Sequence, residues 1–276
     1  MTAYLHSVKP AASAQTCARR ILITNDDGID APGLRYLTEL AQVLGDEVWV
    51  VAPEQDQSGA SQSISLHQPL RVQQRSERCF VVRGTPADCV LMGVFELLPG
   101  KPDLVLSGIN RGINIADAVG FSGTLGAART AALFDIPAIA LSQAWKDPEC
   151  IHWHTAASHA GDLIRNLVAG DWPAGMVANI NFPAVAASEV RGVINTTMNG
   201  QSLVQAQVEC RQDSRRRDYY WLAFEHRYQD VKTPLSDVNA LRERAIALSF
   251  EQRRLTEGLH FGLFSRVASS LHSVAD

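Results

Sequence analysis

The chain has 276 residues, of which 46% are hydrophobic and 20% are charged, enough to bury a large core, and no stretch approaches the roughly 18 consecutive apolar residues of a membrane span. Its net charge of -4 gives no general attraction to nucleic acid, and its five cysteines form no CxxC pair, which argues against a disulfide framework and a thiolate metal site. Residues 1–20 lack the apolar centre of a signal peptide, so a soluble cytoplasmic protein is expected.

Apolar runs alternate along the chain with segments of helical period, which is typical of a parallel sheet with helices on its faces. Strands are predicted at residues 21–24, 47–52, 79–84, 103–108, 138–142 and 176–183, and helices at 33–44, 87–98, 122–134 and 155–168. Beyond residue 183 the alternation weakens. Residues 192–196, 219–224 and 245–250 are predicted as further strands, followed by a last helix near the C-terminus. The order predicts one main α/β domain with a C-terminal appendage.

Oxygen-bearing side chains follow three of the predicted strands. Asp26 and Asp27 come directly after the first strand, Ser58 lies in the loop after the second, and Asn110 follows the strand at 103–108. Ligands bind at the carboxyl ends of strands in open α/β sheets, and oxygen donors without histidine or cysteine suit magnesium, manganese or calcium. Such a cation would also compensate the two adjacent carboxylates, one of which would otherwise be pushed toward its protonated form.

A simple turn is the alternative for the aspartate pair. In that interpretation an aspartate caps the following helix and Gly28 supplies a positive φ. The common position of the three segments after predicted strands favours the metal site over the turn.

A second candidate is the glycine-containing loop at residues 107–121, which leads into an alanine-rich helix. Ser122, Gly123 and Thr124 stand at the start of that helix, where backbone N–H groups and the helix dipole favour phosphate. N-capping by Ser122 is the alternative. The segment lacks GxxxxGK[ST], and no GxGxxG follows the first strand, so neither an NTPase phosphate loop nor a dinucleotide-binding dehydrogenase is supported.

Seven segments of the chain resemble the motifs of a known family, in its order. They are "ILITNDDGIDAPG", "VVAPEQDQSGASQSIS", "GTPADCV", "PDLVLSGINRGIN", "FSGTLGAA", "IPAIALS" and "NINFP". The family is SurE, the stationary-phase survival protein family of metal-dependent 5'/3'-nucleotidases and phosphatases. The similarity is strong over residues 21–142, and "SDVNALRERAIALSF" at 236–250 is a weaker match.

The resemblance implies an activity and a set of site residues. Asp26, Asp27, Ser58 and Asn110 fall on the family's ligands to one divalent metal ion, expected to be Mn or Mg. The implied reaction is hydrolysis of nucleoside monophosphates by a metal-activated water, with Asp26 and Asp27 as catalytic residues. Asn25, Asn114, Ser122, Gly123 and Thr124 fall on phosphate- or substrate-binding positions, and Asn25 is expected mainly to brace the loop.

The resemblance also implies the organisation of the chain. Residues 1–20 are expected to be a disordered N-terminal extension, 21–184 a Rossmann-like catalytic core, and 185–276 a β-rich extension used in a homodimer or homotetramer. This chain departs from the family pattern at Thr130 and Ala131, where a Glu-Gly pair is usual, and at Arg244, where glycine is usual. These departures affect the expected substrate preference and rate.

Two other functions compete with this prediction. A phosphatase using an aspartyl-phosphate intermediate would take Asp26 or Asp27 as nucleophile, but such enzymes usually space two aspartates by one residue and use a downstream lysine. A catalytically weakened nucleotide-sensing protein would follow if the departures had abolished catalysis. The basic cluster at 211–218 is expected to be a solvated loop, with phosphate steering as the alternative.

Overall fold

The computed structural model describes residues 17–198, 202–228 and 235–252. The strands are β1 (Ala18–Thr24), β2 (Gly45–Pro53), β3 (Val72–Ser76), β4 (Cys79–Val82), β5 (Leu104–Arg111), β6 (Ala138–Gln143), β7 (Met176–Phe182), β8 (Val193–Asn195), β9 (Ser202–Gln212), β10 (Asp218–Tyr228) and β11 (Ile246–Gln252). The α-helices are α1 (Pro32–Ala41), α2 (Pro86–Met92), α3 (Gly123–Ala132), α4 (Trp153–Val168) and α5 (Asp237–Arg242). Residues 1–16 of the predicted N-terminal extension and the helix predicted near the C-terminus lie outside the described residues.

A nine-stranded sheet has the order β3-β4-β2-β1-β5-β6-β7-β11-β8. After β1 the chain adds β2 and β4 on one side of β1. Strand β5 then pairs with the other side of β1. The strands from β4 to β7 in this order are parallel, whereas β3 and β11 run antiparallel to β4 and β7. The predicted Rossmann-like, mostly parallel sheet is confirmed. The strand order reverses between β1 and β5, and in open α/β sheets ligands bind outside the carboxyl ends of the strands at such a point.

Alternate residues of β1 explain why both faces of the sheet are covered. Ile21 and Ile23 pack into one core with α1 and α4, whereas Leu22 packs into the opposite core with α2 and α3. All three side chains are fully buried. A strand that is apolar on both faces therefore fixes the helix–sheet–helix layering and places the end of β1 at the centre of the sheet edge.

The start of α2 follows the local sequence signals. Thr85 is the N-cap, Pro86 stands in the first turn, and Asp88 completes a capping box with Thr85. The α-helix predicted over 87–98 ends earlier than predicted, at Met92. A π-helical segment, Gly93–Leu97, takes the place of its second half. Helix α3 lies close to its predicted position, and α4 begins two residues before its prediction.

The region after residue 183 is only partly as predicted. Strands β8, β10 and β11 confirm the three predicted strands, and β11 joins the main sheet beside β7. The sequence did not predict β3, β9 or α5. Strands β9 and β10 form a separate antiparallel hairpin, and the basic cluster at 211–218 covers its turn and the adjoining strand ends. Two of its arginines form exposed ion pairs, Arg211 with Glu209 and Arg217 with Asp213.

Two global properties can be stated for the described part of the chain. None of its helices has the length and apolar character needed to cross a membrane. All five cysteines lie in this part, and each is a free thiol.

Candidate metal and phosphate site

Three loops meet at the carboxyl edge of the sheet, where β1 and β5 lie side by side. Asp26 and Asp27 follow β1, and the last residues of β5 are Asn110 and Arg111. The Arg111 backbone N–H donates to Asp27 Oδ2 at 3.0 Å. From the loop after β2, the Gln57 N–H donates to the Asp26 carbonyl at 2.7 Å. The structure therefore gathers the segments that carry the predicted ligands around the aspartate pair.

Asp26 is almost completely buried, with 4% of its surface exposed. Burial raises the pKa of its carboxyl group above the ordinary value, and hydrogen bonds from the side chain and backbone of Thr124 oppose that rise. Thr124 Oγ1 donates to Asp26 Oδ1 at 2.7 Å. The carboxylate thus lies at the N-terminus of α3, where free N–H groups and the helix dipole favour negative charge.

Asp27 is the second carboxylate of the pair. Burial raises its pKa to about 7, the neighbouring charge of Asp26 adds to the rise, and the hydrogen bond from the Arg111 amide opposes it. Asp56 on the loop after β2 contributes further repulsion to both carboxylates. A buried and a half-buried carboxylate that repel each other are the environment that a divalent cation stabilises, so the donor set fits such an ion.

The remaining predicted ligands are a hydroxyl and an amide. Ser58 is exposed, and its backbone N–H donates to Asp56 Oδ1 at 2.7 Å. Asn110 is half-buried at the end of β5. Within residues 17–198, 202–228 and 235–252, no three His, Cys, Asp or Glu side chains gather as a metal-binding group. The candidate set instead combines two carboxylates with neutral oxygen donors, and its role as a ligand set remains a prediction.

The turn that carries the aspartates combines features of both sequence interpretations. Gly28 has a φ of 97°, as the turn interpretation requires. Asn25, which is fully buried, donates from Nδ2 to the Gly28 carbonyl at 2.8 Å and so braces the turn. The proposed aspartate cap is wrong, because the N-cap of α1 is Ala31 and has no side-chain cap bond. Both carboxylates are therefore free of a capping role at α1.

The start of α3 lies against Asp26. Ser122 is the N-cap, and its Oγ accepts the Leu125 N–H at 3.0 Å, so the capping alternative is confirmed for this hydroxyl. Gly123 is the first residue of the helix, and a Cβ atom added there would lie 2.8 Å from Asp26 Cβ. Only glycine allows the helix N-terminus to approach the carboxylate this closely, which places the first N–H groups of α3 beside it.

Asn114 lies in a buried polar network behind the aspartates. Its Nδ2 donates to Ser142 Oγ at 2.8 Å and to Thr124 Oγ1 at 3.2 Å, and Thr124 in turn donates to Asp26. The Asn114 N–H donates to Asn181 Oδ1 at 2.8 Å. In this structure the Asn114 side chain holds Thr124, Thr124 holds Asp26, and Ser122 caps α3. Their binding of phosphate remains a prediction.

The sequence did not identify the residues that hold Asn114 in this network. Ser142 ends the predicted strand at 138–142, and Asn181 lies in "NINFP", but neither was assigned to the site. Asn179 and Asn181 both donate from Nδ2 to the Asn114 carbonyl, at 2.8 and 3.1 Å. Ser142 lies on β6 and both asparagines lie on β7. All three carry the signal that identified Asn110, namely a polar residue near the carboxyl end of a buried strand.

The three departures from the family pattern have different surroundings. Thr130 Oγ1 donates to the Gly126 carbonyl at 2.7 Å and accepts from Gln62 Nε2 at 3.3 Å. Ala131 is fully buried in the core formed with α2. Arg244 has a φ of 62°, a conformation that costs a non-glycine residue about 1–3 kcal/mol, and its guanidinium pairs with Glu189 at 3.1 Å. None of these contacts involves the aspartate pair.

Comparisons with known proteins agree on one family. The family model described as survival protein SurE matches residues 21–205. A protein named 5'-nucleotidase SurE from Brucella anthropi is 46% identical over 233 residues, which cover 83% of this chain and 90% of that protein. Its namesake from Brucella canis is 47% identical over 233 residues, covering 83% and 91% of the two chains. The crystal structure of SurE protein from Aquifex aeolicus superposes with a TM-score of 0.76 at 29% identity, covering 90% of this chain and 99% of that chain.

Proposed function

This chain belongs to the SurE family, and we propose that it is a 5'-nucleotidase that hydrolyses nucleoside monophosphates at the crevice between β1 and β5. The relatives named 5'-nucleotidase SurE match 83% of the chain at 46% and 47% identity. The observation that carries the proposal is the aspartate pair beside the N-terminus of α3. It offers a cation-binding carboxylate cluster and phosphate-binding backbone amides within one crevice.

The family depends on a divalent metal ion, and the residues of this chain fit one. Asp26, Asp27, Ser58 and Asn110 would hold it, and Mn or Mg suits these oxygen donors. When bound, the ion polarises phosphoryl oxygens and lowers the pKa of a coordinated water.

The chain's own residues bind and orient the phosphate. The backbone N–H of Gly123, at the start of α3, donates to phosphoryl oxygens at the positive end of the helix dipole. Ser122 fixes that end of the helix by capping it, and Thr124 holds Asp26 in place. Asn114 restrains Thr124 from behind, and Asn25 fixes the aspartate turn. These contacts stabilise charge that develops on the transferred phosphoryl group.

Asp27 orients the attacking water and accepts its proton. Its Oδ2 atom is anchored by the Arg111 N–H, so the carboxylate has a fixed direction at the end of β1. Fixed donors and acceptors lower the reorganisation that the reaction requires.

The activity is tested by phosphate release from AMP and p-nitrophenyl phosphate, with manganese, magnesium or a chelator. We expect metal-stimulated release by the wild type, its loss in Asp26→Asn, and wild-type rates for the control Asp162→Asn, a substitution on α4. Absence of metal-stimulated release by the pure wild-type protein would refute the proposed enzyme. A trapped phosphoaspartate would show instead that an aspartate attacks the phosphate covalently, in place of the metal-activated water.

We also propose that the protein is a homodimer or homotetramer assembled through the β9–β10 hairpin. The register of this hairpin places Leu222 opposite Val208 and Tyr220 opposite Cys210, so that one of its faces is apolar. Leu222, Val208 and Tyr220 are all exposed. An exposed apolar face of this kind favours association.

Light scattering combined with size exclusion tests this assembly. Leu222→Glu should dissociate the oligomer, whereas Ala223→Glu, on the opposite face of the same strand, should preserve it. An oligomer that survives Leu222→Glu would refute the assigned face. The five free thiols suit a reducing compartment, and we propose the cytoplasm as the location.

A further inference from the structure

An exposed phenylalanine stands at the entrance to α3, immediately before the N-cap Ser122. The Phe121 side chain leaves 44% of its surface exposed. Its ring stacks on that of Phe224, with 4.9 Å between the ring centroids and 25° between the planes. Phe224 belongs to β10, so the hairpin supports the ring of Phe121 on one side.

The turn that presents Phe121 is fixed by hydrogen bonds to three successive carbonyl groups. Arg129 donates from its guanidinium to the Val119 carbonyl at 3.0 Å. Ser61 donates from Oγ to the Gly120 carbonyl at 2.8 Å, and its N–H donates to the Phe121 carbonyl at 3.2 Å. Ser61 lies on the same loop as Ser58, so the ring is held in a defined position relative to the candidate site.

The position of Phe121 is close enough to serve a ligand of that site. Gly123, which contacts Asp26, is two residues further along the chain. Successive Cα atoms are about 3.8 Å apart, so the Cα atoms of Phe121 and Gly123 are separated by at most about 7.6 Å. A phosphate bound at the N-terminus of α3 therefore lies close to the backbone of Phe121, and in a nucleoside monophosphate the base stands one ribose away from the phosphate.

We propose that the exposed ring of Phe121, supported by Phe224, is a stacking platform for the base of the nucleotide. The inference rests on the proposed nucleotidase function and assigns the base subsite of the same crevice. Every nucleobase has a π-face, so a stacking platform accepts purines and pyrimidines alike and discriminates against phosphate monoesters that lack a base. Broad base tolerance and weak binding of ribose 5-phosphate follow from this arrangement.

The test compares AMP with ribose 5-phosphate in the wild type, Phe121→Leu and Phe121→Ala. Leucine keeps apolar contact with Phe224 but removes the aromatic face. Phe121→Leu should raise the KM for AMP about tenfold, change kcat less than about twofold, and leave both constants for ribose 5-phosphate unchanged. Phe95→Leu is the matched control. Phe95 lies on the π-helical segment, is also exposed, and contacts a second ring, that of Phe134.

Two results would overturn the base platform. One is a preference for AMP over ribose 5-phosphate that persists in Phe121→Leu, and the other is an equal loss of both substrates, which would indicate a structural role. Size exclusion of the Phe121 variants checks that their oligomeric state is unchanged.

Calorimetric titration with AMP and ribose 5-phosphate separates this inference from the proposed function. Preferential binding of AMP that Phe121→Leu removes, in a protein that hydrolyses neither compound, would support the platform and refute the nucleotidase. Hydrolysis of both compounds with equal KM by the wild type would support the phosphomonoesterase and refute the platform.

Discussion

Replacing Gly123 by alanine tests whether the position of Asp26 determines activity. The added Cβ would lie 2.8 Å from Asp26 Cβ and 3.0 Å from Asp26 Oδ2. Carbon atoms in favourable contact are about 3.5–4.0 Å apart, so Asp26 must retreat by about 0.7 Å or more. The substitution preserves the backbone N–H of residue 123, and any loss of activity therefore reports the displaced carboxylate rather than a missing donor.

The size of the effect follows from this displacement. A misplacement of about 1 Å in a catalytic group costs up to about 100-fold in rate, so we expect kcat to fall at least about tenfold. Overpacking lowers the free energy of unfolding by about 1–3 kcal/mol, and the higher helix propensity of alanine offsets up to about 1 kcal/mol of this loss. The net loss of free energy of unfolding is therefore about 3 kcal/mol or less, and Tm should fall by at most about 10 °C.

The assay is the initial rate of phosphate release from AMP at saturating manganese, with Tm measured on the same preparations. Gly120→Ala is the matched control, because a Cβ added at Gly120 meets no atom within 4 Å. Equal kcat values for Gly123→Ala and Gly120→Ala would refute the argument. A loss of activity accompanied by a large fall in Tm would assign the effect to folding instead.

Three further predictions concern the same site. In metal-free protein, the pKa of Asp27 is about 7 when folded against 3.8 ordinarily, so the folded state keeps a proton that the unfolded chain has lost. The free energy of unfolding should consequently fall between about pH 4 and pH 7, by up to about 4 kcal/mol, and urea unfolding with a chelator should show that Asp27→Asn removes this fall. Thr124→Val deletes the hydroxyl that binds Asp26 and should lower kcat about tenfold, whereas Thr124→Ser should retain activity; equal rates for the two variants would contradict this role. A chelator should abolish phosphate release, and manganese should restore it in the wild type but not in Asp26→Asn.

The sequence was sufficient to predict the layered sheet, because its central strands are apolar on both faces and alternate with helices. It was also sufficient to place Asp26, Asp27 and Asn110 at one sheet edge, since each follows or ends a parallel strand. The start of α2 was predicted to within one residue, at 87 against the observed Pro86. These predictions depend on short-range patterns that the chain expresses within each element.

Contacts between distant segments could not be predicted in this way. Thr124 and Asp26 are 98 residues apart, and the sequence between them does not indicate that a hydroxyl will face a carboxylate rather than a phosphate. The same applies to Phe121 and Phe224, which the hairpin brings together. Strand β9 was missed although Val204, Ala206, Val208 and Cys210 alternate with polar residues, and the hairpin it forms is exposed rather than part of the core.

The position of β11 has a consequence for how the protein is made. This strand is inserted between β7 and β8, pairing Ser249 with Asn179 across 70 residues of chain. Asn179 supports Asn114, and through it the aspartate pair, so the strand that backs the site leaves the ribosome only after the whole parallel part of the sheet. The parallel sheet from β4 to β7 can form during translation, but one flank of the catalytic network is completed only afterwards. Nascent chains should therefore acquire secondary structure before they acquire activity.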